Sequence, residues 1–461
     1  MSTFSGISTA LSGLYAQRRA LDVTGQNIAN VNTEGYSRQR ADLTAVAASS
    51  QASMWSVSEN VGGGVDVASI GRMRDAFLEA RSRAEHARSS YLDTRKTSLK
   101  DVERTLTEPS DTGIAAQLGE LWAGFDDVAN RPGDEAARNQ LLQRVGTVTG
   151  TLNASSNALS RQWDAQREQL DGLVNEVNEA AKGVAELNQS IIRANQEGLP
   201  SNELADRRDL LTQKLAELTG GVGRAGEDGS LDFYLDGTAL VSGSRAEALS
   251  VAGANRLTDV GADPVVVSWT RGGRPAGISG GTVGAITENI GVTLPDYTRQ
   301  LDGVANALTT VVNAQHQAGY DQDGNPGGSL FTGTTAATIT FAITDPRKVA
   351  AAAAQTSVTG NRDGGNASAL SKLKSTANGP DNAWRTLVVG IGVTVQTANR
   401  RSEIQGTVTA AADGLRDSVA GVNLDEEMAN MLAYQRAYEG AARVLSAIDS
   451  VLDTLINRMG R

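Results

Sequence analysis

Ile7-Ser8-Thr9-Ala10-Leu11-Ser12-Gly13-Leu14-Tyr15-Ala16-Gln17-Arg18-Arg19-Ala20-Leu21-Asp22-Val23-Thr24-Gly25-Gln26-Asn27-Ile28 places large apolar residues at 7, 14, 21 and 28, with Phe4 and Leu11 three residues ahead of the first two. A repeat of seven with a three-residue offset is the apolar seam of a helix, not the alternation of a strand. A matching seam lies at the other end of the chain. Leu424, Met431, Tyr438, Leu445, Leu452 and Met459 recur every seven residues, with Met428, Ile448, Leu455 and Ile456 beside the row. Asn423-x-x-Glu426 has the form of a capping box, so a helix is expected from about 423 to Gly460.

Burying one large apolar side chain gives roughly 1.5 to 3 kcal/mol, and ordering one backbone residue costs about 1 to 2 kcal/mol. Two long helices sharing a single narrow seam are therefore marginal on their own, and the termini are expected to need neighbours.

The chain has 461 residues with 40% hydrophobic and 21% charged content, which fits several folded units. Aromatics are only 4% while glycine numbers 50, a composition suited to Ala-packed helices joined by Gly-rich loops. A net charge of -11 and a pI near 4.9, with no dense basic stretch, speak against a nucleic-acid partner. The absence of cysteine excludes disulfides, thiol catalysis and zinc-thiolate sites. No apolar run approaches the roughly 18 residues of a membrane span, so no membrane insertion is expected. Residues 1–15 lack a basic start and a continuous apolar core, which predicts no cleaved leader.

All nine prolines lie between Pro109 and Pro380, leaving both ends free for long helices. Residues 36–45 and 57–70 read as extended, interrupted by Gly62-Gly63-Gly64. Helices are expected over 71–106, 114–128 and 202–218, and a long helix or helix pair between Pro132 and Pro200, where Trp163, Leu170, Val177, Val184 and Ile191 stand seven apart. Short strand-like runs separated by Gly, Asp and Pro occupy 221–284. Helical pattern resumes over 285–318, and 327–345 and 387–396 read as extended. The expected fold class is mainly α with β insertions: a long helical bundle body, discontinuous terminal coiled-coil helices and a small inserted β domain. The units are 1–33 with 423–461 for the terminal assembly domain, 34–220 with 285–422 for the helical body, and 221–284 for the β insertion.

Nothing in the chain supports catalysis. His86 and His316 have no nucleophile or ligand partner nearby in sequence and read as surface or packing residues. Asp321-Gln322-Asp323-Gly324-Asn325 departs from a calcium loop, because the glycine comes early and position 12 is Thr332, so it reads as a turn. Ser371-Lys372-Leu373-Lys374 matches S-x-x-K without the accompanying elements. No catalytic, cofactor-binding or metal residue is expected.

Ala10-Leu11-Ser12-Gly13-Leu14, Asn27-Ile28-Ala29-Asn30-Val31-Asn32-Thr33 and Gly35-Tyr36-Ser37-Arg38-Gln39 resemble the N-terminal signature of the bacterial flagellar rod, hook and hook-associated axial proteins. Gly421-Val422-Asn423-Leu424-Asp425-Glu426-Glu427 and Tyr434-Gln435-Arg436-Ala437-Tyr438 resemble that family's C-terminal helix. Asn202 through Leu211, Asn313 through Gly324 and Asp453 through Arg458 narrow the resemblance to its hook-filament junction members. The resemblance implies a structural part of the flagellum that joins hook to filament. It implies export through the flagellar channel without a cleaved signal, and terminal helices that order only against neighbouring subunits. The implied partners are further copies of the chain, the flagellar hook protein, hook-associated protein 3 and a flagellar export chaperone. The residues expected at the assembly interface are Ile7, Leu11, Leu14, Leu21, Ile28, Leu424, Met428, Met431, Tyr438, Leu445, Leu452 and Leu455, with Asn27, Asn30 and Asn32 turning the end of the first helix. The alternatives are a hook subunit and a cytosolic coiled-coil scaffold.

Overall fold

The computed structural model describes residues 3–46, 62–106, 108–355 and 362–454. The element expected to be long is the longest: α4 (Glu135–Gln196) is one unbroken helix of 62 residues, on the order of 90 Å. It starts where Asp134 accepts a hydrogen bond from the Ala136 N–H and stops before Gly198 and Pro200. Trp163, Leu170, Val177, Val184 and Ile191 are all buried along it. The Trp163 indole N–H donates to the Ile290 carbonyl at 2.8 Å, which satisfies the polar atom of a fully buried ring.

Around α4 stand α2 (Ala76–Leu106), α3 (Ile114–Asn130), α5 (Asn202–Thr219), α6 (Gly281–Glu288), α7 (Leu294–Gln317) and α9 (Pro380–Ala420), with the short α8 (Gly365–Ser371) against α3 and α7. One continuous core joins them, through Phe125, Leu141, Leu170, Leu301, Leu308, Leu387 and Ile391 among others. A five-residue π turn, Asn289–Thr293, links α6 to α7.

Residues 387–396 are not extended. Their β-branched run lies inside α9, where Leu387, Ile391, Val395 and Ala398 recur at helical spacing and bury against the body, so tertiary packing overrides local strand preference. Residues 327–345 form mostly loop, with two-residue strands β9 (Phe331–Thr332) and β10 (Thr340–Phe341). Earlier in the chain β1 (Gln39–Val46) pairs antiparallel with β2 (Gly64–Arg72); the expected strand residues 57–61 lie outside the described residues.

The β segment is a four-stranded antiparallel meander of β3 (Val222–Ala225), β4 (Leu231–Leu235), β5 (Thr238–Ser242) and β6 (Arg245–Ala246). A hairpin of β7 (Leu249–Ala252) and β8 (Val266–Trp269) follows. Asp236-Gly237, both with positive φ, closes the β4–β5 hairpin. The chain enters and leaves this segment at Gly220 and Gly281, both with positive φ; a Cβ on Gly220 would lie 2.7 Å from the Gly280 Cα, so the two passages cross too closely for a side chain. The fold is thus mainly α with small β insertions, as expected from the sequence.

Candidate assembly interface

The terminal helices α1 (Thr3–Ala29) and α10 (Leu424–Asp453) pack antiparallel in a register that advances by sevens. Gly6 lies against Ile448, Gly13 against Ala441, Ala20 and Val23 share a small cluster with Tyr434, and Asn27 meets Glu427. Each seven-residue step along α1 is matched by seven residues backward along α10. The true seam on α1 is therefore Gly6, Gly13, Ala20 and Asn27, one residue off the row of large apolar side chains. Small side chains at the contact let the two backbones approach closely, and Ala20 is buried there.

The sequence-predicted residues consequently divide. Ile7, Leu11, Leu14, Leu21 and Ile28 are half-buried at the edge of the seam, and Met431, Leu445 and Leu452 are half-buried on α10. Leu424 (45% exposed), Met428 (58%) and Tyr438 (37%) face largely outward, as do Val444 (52%) and Val451 (51%), which the sequence reading omitted. Leu455 lies outside the described residues.

The β1–β2 hairpin covers the other side of α1, with Ala41, Val67 and Ile70 against Ala20 and Val23. At Gly64 (φ +106°) a Cβ would come within 2.0 Å of the Ser12 hydroxyl oxygen, so only glycine allows this approach. The Val65 N–H donates to that same oxygen at 3.2 Å.

The polar centre of the unit is Asn27, which sequence reading assigned to the end of the helix. It is instead a buried tie. Its Nδ2 donates to the Gln39 carbonyl and to Glu427 Oε2, both at 2.9 Å, while its Oδ1 accepts from the Gln39 N–H at 2.9 Å and the Tyr36 hydroxyl at 2.8 Å. Burial, with Asp206 and Glu427 nearby, pushes the Tyr36 phenol up to about 12, so it stays a donor. Asn30 does serve the helix end, donating to the Gln26 carbonyl and accepting from Thr33.

Arg38 completes the tie through Glu427 Oε1 (2.7 Å) and Glu426 Oε2 (2.8 Å), and its own N–H donates to the Ala420 carbonyl. Glu426 is thereby engaged outside its helix. The cap comes from Asn423, which accepts from the N–H groups of Asp425 and Glu426. A second ion cluster joins this unit to the body: Arg72 at the end of β2 bridges Asp206 and Asp209 on α5, each at 2.8 Å, and Arg74 reaches Asp209 at 3.1 Å. Against the opposing pull of burial, Arg72 and Arg208 hold the Asp209 carboxyl below its ordinary range. Asn27, Arg38, Asp206, Asp209 and Glu427 stand inside the motifs quoted from the sequence and Arg72 outside them, yet their pairing spans up to 400 residues and no local pattern exposes it.

A profile of the flagellar hook-associated protein FlgK helical domain matches residues 99–331, that of the flagellar basal body rod FlgEFG C-terminal region matches 417–459, and that of the flagella basal body rod protein matches 7–36. The two rod matches coincide with the two helices just described. Flagellar hook-associated protein 1 of Bacillus subtilis (strain 168) is 31% identical over 510 residues, covering 100% of this chain and 99% of that protein. The chain belongs to the flagellar hook-associated protein 1 family. Its counterpart in Escherichia coli (strain K12) is 25% identical across 98% of this chain and 99% of its own length. The structure described as the flagellar hook junction protein FlgK from Burkholderia pseudomallei shares the fold, with a TM-score of 0.65 at 17% identity over 75% of this chain and 100% of that one. As a family member, the chain is a structural component of the bacterial flagellum at the hook-filament junction.

Proposed function

We propose that the α1–α10 pair is the polymerising surface through which this junction protein packs against further copies of itself and against its axial neighbours, the flagellar hook protein on one side and hook-associated protein 3 on the other. The observation that carries this reading is the outward placement of Leu424, Met428, Leu432, Val444 and Val451, each 45% exposed or more, on a helix whose inner face is already occupied by α1. Apolar side chains concentrated along one exposed helix are a signature of an interface. The role is structural rather than catalytic. Residues 1–33 with 423–461 form the assembly unit together with the β1–β2 hairpin packed on α1, the rest of 34–220 with 285–422 the rigid body outside it, and 221–284 an outer insertion. Delivery runs through the flagellar export channel with the help of an export chaperone.

Replacing Val444 and Val451 together with Asp tests the surface. Both are exposed in the single chain, so the melting temperature of the purified protein should move by less than a few degrees. Cells producing the double variant should lose filaments. Normal filaments on such cells would remove α10's outer face from the interface.

A further inference from the structure

His86 lies on α2 where that helix meets α5 and α9, on the wall of a cleft of about 770 Å³ between the body and the terminal unit. Its Nε2 is 2.9 Å from Asp413 Oδ2 on α9, and its Nδ1 is 3.3 Å from Glu217 Oε1 on α5. A neutral imidazole has a single N–H and donates to one carboxylate; an imidazolium donates to both. The two carboxylates are held in place independently. The Ser82 hydroxyl donates to Asp413 Oδ1 at 2.7 Å, Arg416 Nη1 stands 3.7 Å from the same atom, and Gln213 Nε2 donates to Glu217 Oε1 at 3.0 Å. Glu217 of α5 and Asp413 of α9 pair with the ring directly, and the cleft that it faces is also lined by the charged groups Asp206 and Asp209 of α5, Arg416 and Asp417 of α9, Glu79 and Arg83 of α2 itself, and Glu34, Arg38 and Glu426 of the terminal unit. Asp413 sits two turns before α9 ends at Ala420, and only Gly421-Val422-Asn423 separates that end from α10.

We propose that His86 is a proton-operated clamp: protonated, it fastens the last turns of α9, and with them the root of α10, to α2 and α5; deprotonated, it releases one of its two carboxylates. The mount of the terminal helix would then stiffen or slacken with the pH around the assembled flagellum. The hydrogen bond to Glu217, opposed by burial and assisted by Asp413, raises His86 above its ordinary value, while the same bond lowers Glu217. The signs follow from linkage. The raised His86 contributes stability that is complete below its unfolded value of about 6.5 and is lost as pH rises through the folded value. The lowered Glu217 contributes above its unfolded value and is lost on acidification. The clamp is tightest between the two.

The chain has only two histidines, so the imidazole proton resonances of the full-length protein can be followed by NMR and assigned with His86→Gln. The His86 midpoint should lie above about 6.5 and fall in Asp413→Asn and in Glu217→Gln. In parallel, amide exchange of residues 414–421, taken as a ratio to residues 301–312 of α7 in the same molecule, should rise roughly tenfold through that midpoint and stay flat in His86→Gln. A His86 midpoint at the ordinary value, or the same rise in His86→Gln, overturns the clamp. Should His86→Gln fail to fold, Asp413→Asn carries the same comparison. All of these readouts come from the unassembled protein, so they stand or fall separately from the polymerising surface.

Discussion

Asn27 makes four hydrogen bonds with one amide, two as donor and two as acceptor, and thereby ties helix α1, the start of the hairpin and helix α10 at a single buried point. No other side chain of that size offers both roles. Aspartate keeps the acceptors but removes the donor and brings a second carboxylate against Glu427, whose ion-pair partner among the described residues is Arg38. Asn27→Asp should therefore weaken the terminal pair by about 1–3 kcal/mol, read as faster amide exchange over residues 6–30 with the protection of α4 unchanged; exchange over residues 6–30 equal to that of the parent chain would show that the tie adds little. His316 behaves in the opposite way to His86. It is buried, with Nδ1 2.7 Å from the Gly328 carbonyl and Nε2 accepting from the Ala350 N–H at 2.8 Å, and burial lowers its pKa, so it is a neutral packing residue.

At the scale of elements, α4 and α10 carry similar seven-residue rows under different conditions. The row on α4 is covered on every side by α3, α5, α7 and the β segment, and Leu170 and Val177 are fully buried. The row on α10 has α1 as its main neighbour among the described elements, leaving Leu445 and Leu452 half-exposed. The same substitution should accordingly have unequal effects: Leu170→Ala should cost about 2–5 kcal/mol in chemical denaturation because it opens a cavity in a closed core, while Leu452→Ala should cost less than about 1 kcal/mol in the unassembled chain. If the two losses were similar, the terminal seam would be packed as tightly as the body.

Across the whole molecule the cores are unequal. The body core runs without interruption from α2 to α9, whereas the apolar cluster of the terminal unit is the small one of Ala20, Val23 and Ala41, with Val67, Ile70 and Tyr434 against them. Local stability follows the apolar contact available in each region. Hydrogen exchange of the purified chain should show residues 6–32 and 424–454 exchanging well before residues 135–218, and assembly should slow the ends toward the rate of the body. Uniform protection of the free chain would mean that the ends are already as stable as the core and must rearrange to assemble.

The sequence by itself determined the mainly helical class, the pairing of the two ends, a long helix or helix pair between Pro132 and Pro200, which the structure resolves as one unbroken helix, and the axial family, because repeats of seven, proline placement and terminal motifs are local signals that survive without a structure. Tertiary structure alone decided which face of α1 is the seam. Large apolar residues mark where a helix can bury area, yet the α1–α10 contact selected Gly6, Gly13, Ala20 and Asn27, since close backbone approach requires small side chains at the point of contact. The same holds for residues 387–396, read as a strand from their β-branched run and held as helix by the neighbours of α9. It holds too for the Asn27–Glu427, Arg72–Asp206 and His86–Asp413 ties, whose partners are more than a hundred residues apart and meet only when the chain has folded.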